Sequence, residues 1–224
     1  MRRTIRLVLL LLVGAPLAAI LAFRFVPPPV TPLMLIRAAQ GYGSGPGIDR
    51  DWVPYAEIAP ALAHAVIAAE DNLFCRQALG FDFGALREQF EAWQEGETPR
   101  GASTITMQTA KNLLLWPGRD PIRKVIEAWL TPQIALLWPR RRVLEVYLNI
   151  VEFGPGLYGA EAAARAHFGK PAAALTGREA ALLAAVLPSP LTRDAGAPTP
   201  WLTQRAAGIQ RRVAQLGSLL SCTE

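Results

Sequence analysis

The chain has 224 residues and a formal net charge of +5 at pH 7. Its length allows one well-packed domain with an appendage but is short for two domains. Four of its 23 basic residues (Arg2, Arg3, Arg6 and Arg24) flank an apolar N-terminal stretch, which leaves 19 basic against 18 acidic residues elsewhere. The rest of the chain is therefore nearly neutral, which argues against a nucleic-acid-binding module.

The N-terminus begins with a basic head, MRRTIR, followed by an uncharged stretch of 17 residues (7–23). That length is at the short end of the roughly 17–25 residues that span a bilayer. A cleaved signal peptide has the same basic head and apolar body, but no A-x-A triplet directly follows the stretch and three prolines come next. We predict a retained transmembrane anchor over 7–26, with 1–6 as a cytoplasmic tail because cytoplasmic flanks are rich in Lys and Arg.

Beyond the anchor, residues 27–51 are predicted to form an extended connector with a Gly-rich loop at 41–47. From residue 52 to residue 224, apolar residues recur at spacings of three and four, which predicts a mainly α-helical domain. The sequence has no convincing run of alternating strand residues. The predicted helices cover about 58–69, 83–93, 103–115, a segment starting at 120, 140–150, 158–168, 177–187 and 201–217.

The chain has two cysteines, Cys75 and Cys222, and two histidines, His64 and His167. Neither pair has the spacing of metal ligands, which argues against a structural zinc site. In an exported protein the cysteines can form a disulfide. Two free buried thiols are the alternative, and the sequence leaves both open.

Glu70 and Asp71 stand at the end of an alanine-rich predicted helix. Acids at a helix C-terminus oppose the macrodipole, so the pair is either a solvated helix end or part of an active site. Phe74 and the GFDF segment (80–83) follow, and they can wall off a carboxylate and raise its pKa.

The stretch GASTITMQTAKN (101–112) opens a second helix, with Ser103 as its predicted cap. Thr104, Gln108 and Lys111 follow at i, i+4 and i+7 and share one face. An ordinary solvated face is the plain interpretation. The small residues at the start let a ligand approach the backbone N–H groups, which suits a phosphate.

Arg123 and Lys124 occupy the first turn of the helix that starts near Asp120. Positive charge is disfavoured there by about 0.3–1 kcal/mol per residue, unless an anion binds. Glu127 lies at i+4 and i+3 from the two cations, so a simple salt-bridge cluster is the alternative. In a later helix, Glu145 and Asn149 share one face.

One or two carboxylates together with cations at helix starts suit glycosyl transfer from a sugar diphosphate. That reaction needs a base for the incoming hydroxyl and cations for the leaving group. A glycoside hydrolase instead needs an acid and a second carboxylate.

Five segments resemble, in order, the motifs of the monofunctional peptidoglycan glycosyltransferases. Three differences from that pattern stand out: Gln77 replaces a histidine, one residue is inserted before Gly80, and Met107 replaces a glutamine. The matching segments are Glu70-Asp71 with Phe74, GASTITMQTAKN, Arg123-Lys124-x-x-Glu127, EVYLNIVEFGPGLYG and ALLAAVLPSP.

The resemblance implies a lysozyme-like helical domain over 52–224 that polymerises lipid II into glycan strands. Glu70 would remove the proton from the acceptor 4-hydroxyl, and Asp71 would orient Glu70. The hydroxyl oxygen attacks C1 of the growing chain, polyprenyl pyrophosphate leaves, and an inverted β-1,4 link forms. Glu127 would organise the cations or a divalent ion such as Mg²⁺ or Mn²⁺. The substrate-binding residues implied are Ser103, Thr104, Gln108, Lys111, Arg123, Lys124, Glu145 and Asn149.

The resemblance also implies a place on the outer, periplasmic face of the inner membrane, with the bilayer, lipid II and the glycan strand as partners. Cell-wall synthesis or division proteins would be further partners. The alternatives are a lysozyme-like lytic enzyme that acts on finished peptidoglycan and an inactive membrane-anchored scaffold. No S-x-x-K sequence occurs, so transpeptidation is not supported.

Overall fold

The computed structural model describes residues 10–42, 47–97, 101–118 and 120–223. Within these ranges the chain is mainly helical, and the predicted helices from residue 58 onward are confirmed to within a few residues. The α-helices are α1 (Ala15–Phe23), α2 (Pro32–Ala39), α3 (Pro60–Glu70), α4 (Phe83–Gln94), α5 (Ile105–Leu114), α6 (Pro121–Leu137), α7 (Arg140–Ile150), α8 (Ala160–Phe168), α9 (Gly177–Val186) and α10 (Pro200–Leu216).

At the N-terminus, a π-helical turn (Leu10–Gly14) leads into α1. In the part of the chain that the structure describes, no helix has both the length and the apolar character needed to cross a membrane. The predicted cytoplasmic tail (1–6) lies outside the described residues. The end of α1 is fastened to the domain, because Trp138 donates to the carbonyl of Ile20 at 2.8 Å and Arg142 donates to the carbonyl of Phe23.

The prediction of an extended connector over 27–51 was wrong, because part of it forms α2. Thr31 caps this helix, Pro32 occupies its first turn, and Leu33 and Met34 are buried against the domain. Pro at the first helical position is compatible with a helix, and burial of the apolar pair supplies the tertiary contacts that a short helix needs. Of the predicted Gly-rich loop, residues 43–46 lie outside the described residues.

The start of α5 differs from the prediction by one residue. Thr104, not Ser103, is the cap: its hydroxyl accepts a hydrogen bond from the N–H of Met107 at 3.1 Å and donates to the carbonyl of Gly80 at 2.6 Å. Gly80 has a φ of +76°, and a Cβ there would lie 2.9 Å from the Cγ2 atoms of Thr106 and Thr131. Glycine at position 80 therefore lets the loop before α4 pack directly on α5 and α6.

The core is built mainly from alanine-rich helices that pack closely. α9 packs against α3 and α10, and α5 packs against α6 and α7. In α3 and α9 nearly every inward residue is alanine, valine, isoleucine or leucine and is buried. Small side chains let helix axes approach closely, so α3 is held rigidly up to its last residue, Glu70.

The structure also contains a small three-stranded sheet that the sequence did not predict. β2 (Glu152–Gly154) and β3 (Leu157–Tyr158) form an antiparallel hairpin within the FGPGLYG region, and β1 (Asp49–Arg50) pairs with β3 in parallel. Such short strands lack the alternating pattern that identifies a strand in a sequence.

A disulfide joins Cys75 to Cys222, which settles the question that the sequence left open. It ties a 3₁₀-helical tail (Gly217–Thr223) to the 3₁₀ turn Phe74–Arg76, just after Glu70 and Asp71. Thr223 adds two contacts, since its carbonyl accepts from Tyr55 at 3.2 Å and its hydroxyl lies 3.0 Å from Nε2 of His64.

Candidate active site

Glu70, the last residue of α3, is half-buried and lines an open cleft of about 380 Å³. We call this cavity the acidic cleft, because two further acids, Asp71 and Asp82, lie in its wall. Its lining residues are Ala69, Glu70, Asp71, Asn72, Leu73, Asp82, Ala85, Gly101, Ala102, Ser103 and Thr104.

The Glu70 carboxylate is held by a chain of hydrogen bonds from two other helices. Gln108 on α5 donates to Oε2 of Glu70 at 2.9 Å, and its own Oε1 accepts from the hydroxyl of Tyr147 on α7 at 2.9 Å. Burial, together with the carboxylates of Glu70 and Asp71, raises the pKa of Tyr147, so its hydroxyl stays a neutral donor. The Tyr147 bond thereby fixes which end of the Gln108 amide faces Glu70.

Asp71 is expected to orient Glu70, but among the hydrogen bonds of the described residues none joins the two side chains. Asp71 is only 7% exposed; Oδ2 accepts from the N–H of Ile105 at 2.9 Å, and Oδ1 accepts from the amide of Gln77. Burial raises the pKa of Asp71 to about 7, although these hydrogen bonds and the charge of Arg140 act to lower it. Asp71 therefore ties the end of α3 to the start of α5, the helix that carries Gln108.

Two of the differences from the family pattern lie in this region. Gln77 stands where a histidine is usual, and it supplies the amide that bonds Asp71, while its carbonyl accepts from Arg140. Phe74 is fully buried, with the Arg140 guanidinium 5.5 Å from its ring centre. Phe74, Phe81 and Phe83 do not line the acidic cleft, and Phe83 is 57% exposed, so the structure does not show the predicted aromatic wall around the carboxylates. Met107 is buried.

The cations at the start of α6 converge on one buried acid, which is the salt-bridge cluster that the spacing left open as the alternative. Glu127, 2% exposed, accepts from Nη1 of Arg123 at 2.6 Å and from Nζ of Lys124 at 2.6 Å. Lys124 also donates to the hydroxyl of Ser103 at 2.8 Å, which connects the cluster to the acidic cleft. The donor set at Glu127 does not fit a divalent ion, because both of its oxygens are held by cationic side chains.

A second cavity, of about 300 Å³, has Gln108 among its lining residues. We call it the cationic pocket, because Arg37, Lys111 and Arg123 contribute to its wall. Its lining residues are Leu33, Arg37, Gln108, Lys111, Asn112, Leu115, Trp116, Pro117, Gly118, Arg123, Val151, Glu152, Leu187, Pro188 and Pro190.

Lys111 is the cation of this pocket whose charged group has no hydrogen-bond partner among the described residues. Burial lowers the pKa of Lys111, and Arg123 and Lys124 lower it further, while the charges of Glu127 and Glu70 act to raise it. A bound anion would stabilise the charged form of such a lysine.

Three of the predicted substrate-binding residues have other tasks. Glu145 and Asn149 line neither cavity. Glu145 pairs with Arg142, which holds the end of α1, and Asn149 bonds both backbone groups of Val53 at 2.9 and 3.0 Å. Thr104 borders the acidic cleft, but its hydroxyl is occupied as the cap of α5.

The sequence-based prediction missed Tyr147, Arg37 and Glu152. Tyr147 is not among the predicted site residues, yet a hydroxyl on a fully buried helix face needs a partner, and that rule could have identified it. No local signal marks Arg37 or Glu152 in the sequence, because α2 and the β2–β3 hairpin meet the pocket only in the folded chain.

A carboxylate at a rigid helix end, beside a pocket of cations with an apolar wall, has the groups for acid–base chemistry on a substrate that carries a diphosphate. Comparison with known proteins agrees. Residues 40–215 match the transglycosylase family. The chain is 47% identical over 209 residues to the biosynthetic peptidoglycan transglycosylase of Caulobacter vibrioides, covering 93% of this chain and 89% of the relative.

Two further relatives carry the same name. The protein of Rhodospirillum centenum is 52% identical over 197 residues, covering 88% of this chain and 84% of the relative. The protein of Pseudomonas fluorescens is 48% identical over 205 residues, covering 91% and 85%. The chain belongs to the transglycosylase family.

Proposed function

We propose that the protein is a peptidoglycan glycosyltransferase that polymerises lipid II into β-1,4-linked glycan strands, with a domain of the lysozyme-like helical type. The observation that supports this most directly is the position of Gln108. Its side chain bonds Glu70 in the acidic cleft and also borders the cationic pocket. A base and an anion-binding pocket that are connected by one side chain suit a reaction between a hydroxyl and a sugar diphosphate.

In the proposed reaction, Glu70 accepts the proton of the acceptor 4-hydroxyl while the hydroxyl oxygen forms a bond to C1 of the growing chain. The bond from C1 to the diphosphate oxygen breaks, and the configuration at C1 is inverted. Lys111 and Arg123 neutralise the departing polyprenyl diphosphate in the cationic pocket. A positioned base contributes about 10²–10⁴-fold to such a rate.

Lys124 and Ser103 extend the cationic surface toward Glu70, since the ammonium group bonds the serine hydroxyl at 2.8 Å. Glu127 keeps Arg123 and Lys124 in place through its two oxygens. Asp71 acts on Glu70 indirectly, by holding α5 and therefore Gln108.

We infer a single-pass inner-membrane location with a cytoplasmic N-terminus, from the basic head and the apolar stretch over 7–26. Both substrates carry polyprenyl chains, so a site close to the bilayer is needed. The exposed Phe83, Phe90 and Trp93 on α4, beside the acidic cleft, favour such a position. Recovery of the full chain in the soluble fraction after cell lysis, without carbonate treatment, would contradict this location.

The test compares wild type, Glu70→Gln and the control Glu57→Gln with labelled lipid II in detergent, with products resolved by size. Glu57 is exposed and lines neither cavity. We expect a polymer ladder from wild type and Glu57→Gln, and a rate at least about 10²-fold lower from Glu70→Gln. A ladder of equal strength from Glu70→Gln would remove Glu70 as the base. Fragments released from finished peptidoglycan, without any polymer, would establish the lytic alternative.

A further inference from the structure

The cationic pocket includes an arginine from outside the five motifs. Arg37 lies in the last turn of α2, one helical turn after Leu33, and both residues line the pocket. The side chain of Arg37 is 19% exposed. A helix that directly follows the apolar N-terminal segment thus contributes one wall of the site.

The guanidinium of Arg37 has partners on two sides, but not all of its N–H groups are hydrogen-bonded. Its Nε lies 3.4 Å from Oε2 of Glu152, an ion pair that lacks hydrogen-bond geometry, so the buried Nε–H has no acceptor. On the exposed side Nη1 donates to Gln40 at 3.3 Å, and the guanidinium carbon lies 5.1 Å from the ring centre of Tyr42. An unpaired N–H in a buried position is costly, and an oxyanion in the pocket would satisfy it.

Glu152 is a weakly held counter-ion for this arginine. It is buried at the base of the pocket, and its other contact is the Tyr158 hydroxyl at 3.4 Å. Burial raises the pKa of Glu152, while Arg37 acts to lower it.

The charges and the walls together define the ligand class. Arg37 and Lys111 have no strong hydrogen-bonded partner in the pocket, whereas Arg123 is already paired with Glu127. A ligand that accepts several charged hydrogen bonds at once is a phosphate or diphosphate. Leu33, Leu115 and Trp116 provide apolar walls for a hydrocarbon chain attached to it.

We propose that Arg37 is a diphosphate-binding residue of the cationic pocket, and that Glu152 occupies its guanidinium until the phosphate oxygens of a polyprenyl diphosphate replace it. The naming of a polyprenyl diphosphate rests on the proposed function. The ligand binds between α2 and α5, where Arg37 and Lys111 both line the pocket.

The experiment titrates the detergent-solubilised full chain with geranylgeranyl diphosphate and, separately, with inorganic pyrophosphate, and measures the heat of binding. Arg37→Gln should weaken the binding of both probes about tenfold, the loss expected for one charged hydrogen bond. Glu152→Gln should strengthen it about threefold, because the competing carboxylate is gone. Arg50→Gln is the matched control: Arg50 also lies against an aromatic ring, that of Trp52 at 5.3 Å, and it lines neither cavity.

Equal binding by wild type and Arg37→Gln would overturn the proposal, as would weaker binding by Glu152→Gln. If Arg37→Gln does not fold, the Glu152→Gln titration still decides. In lipid II polymerisation we expect Arg37→Gln to raise KM about tenfold with kcat close to wild type. If no variant polymerises lipid II but the probes still bind in an Arg37-dependent manner, the proposed function fails and the diphosphate site stands.

Discussion

Gln108 donates a 2.9 Å hydrogen bond to Glu70, and this contact joins the end of α3 to the middle of α5. The same amide accepts from Tyr147 on α7, so three helices set the direction of one carboxylate. A base held in this way is pre-organised for proton transfer, because little reorientation is needed when substrate binds.

Removing the Tyr147 hydroxyl should therefore reduce activity more than stability. In Tyr147→Phe the Gln108 amide loses the bond that fixes its orientation, and we expect polymerisation kcat/KM to fall about tenfold, with about 1 kcal/mol lost in the free energy of unfolding. The measurements are polymerisation kinetics and urea denaturation. Tyr55→Phe is the control, because Tyr55 lines neither cavity and its hydroxyl donates to the carbonyl of Thr223, not to Gln108. A Tyr147→Phe enzyme with wild-type kcat/KM would contradict the role of the hydroxyl.

Asp71 should make stability depend on pH below neutrality. Its pKa is raised from 3.8 to about 7 in the folded protein, so between these values the folded state retains a proton that the unfolded state has lost. Its contribution to stability is fully present below about pH 4 and is lost as pH rises toward 7, with a slope of up to about 1.4 kcal/mol per pH unit.

The comparison is between wild type and Asp71→Asn, with the free energy of unfolding measured from pH 4 to pH 8. Asn fits the site, because Gln77 has a buried Oε1 without a hydrogen-bond partner, which an amide flip would turn toward the Asn amide. Wild type should lose stability relative to Asp71→Asn as pH rises through this window. Parallel curves for the two proteins would show that Asp71 is ionised throughout.

The disulfide should contribute substantially to stability. Cys75 and Cys222 are 147 residues apart, and cross-links that close long loops stabilise by about 2–5 kcal/mol in the chain-entropy account. Dithiothreitol should therefore lower the urea midpoint of wild type, and the double variant Cys75→Ser/Cys222→Ser should match reduced wild type. A midpoint that is unchanged on complete reduction would exclude this contribution.

A substitution in the turn that contains the inserted residue should raise the stability of the protein. Leu79 has a φ of +54° and is followed by Gly80 with a φ of +76°, while the N–H of Phe81 bonds the carbonyl of Ala78 at 3.2 Å. Two successive positive φ values occur in type I′ turns, where Asn and Gly are preferred.

Leu79→Asn should raise the free energy of unfolding by about 1 kcal/mol, because a leucine pays a steric penalty in this conformation. Leu73→Asn is the matched control, since Leu73 has 42% exposure against 43% for Leu79 but an ordinary φ of −101°. If the two substitutions change the free energy of unfolding equally in urea denaturation, the gain comes from side-chain polarity and not from relief of backbone strain.

Much of the helical framework could be predicted from the sequence, because helix formation is governed by local patterns. Two helices of the structure were predicted in this way. One followed from the apolar spacing of Ile58, Leu62 and Val66, and the other from the Asp120-Pro121 pair at its start. The convergence of Arg123 and Lys124 on Glu127 was predictable for the same reason, since residues three and four apart on a helix are neighbours.

The sequence did not predict contacts between residues that are far apart in the chain. The family resemblance implied that Asp71 orients Glu70 and that Glu145 and Asn149 belong to the substrate-binding site, while the residues alone gave only neighbouring positions and a shared helix face. In the structure, Asp71 bonds Ile105, 34 positions later, and Asn149 bonds Val53, 96 positions earlier.

The sequence by itself determined most of the helices and the set of carboxylates and cations, because these depend on residues within a few positions of each other. Only the tertiary structure decided that Tyr147 orients Gln108, that Asp71 faces α5, and that Arg37 joins Lys111 in one pocket. Which side chains from separate helices meet depends on how those helices pack, and packing is settled by the fit of all the buried surfaces together.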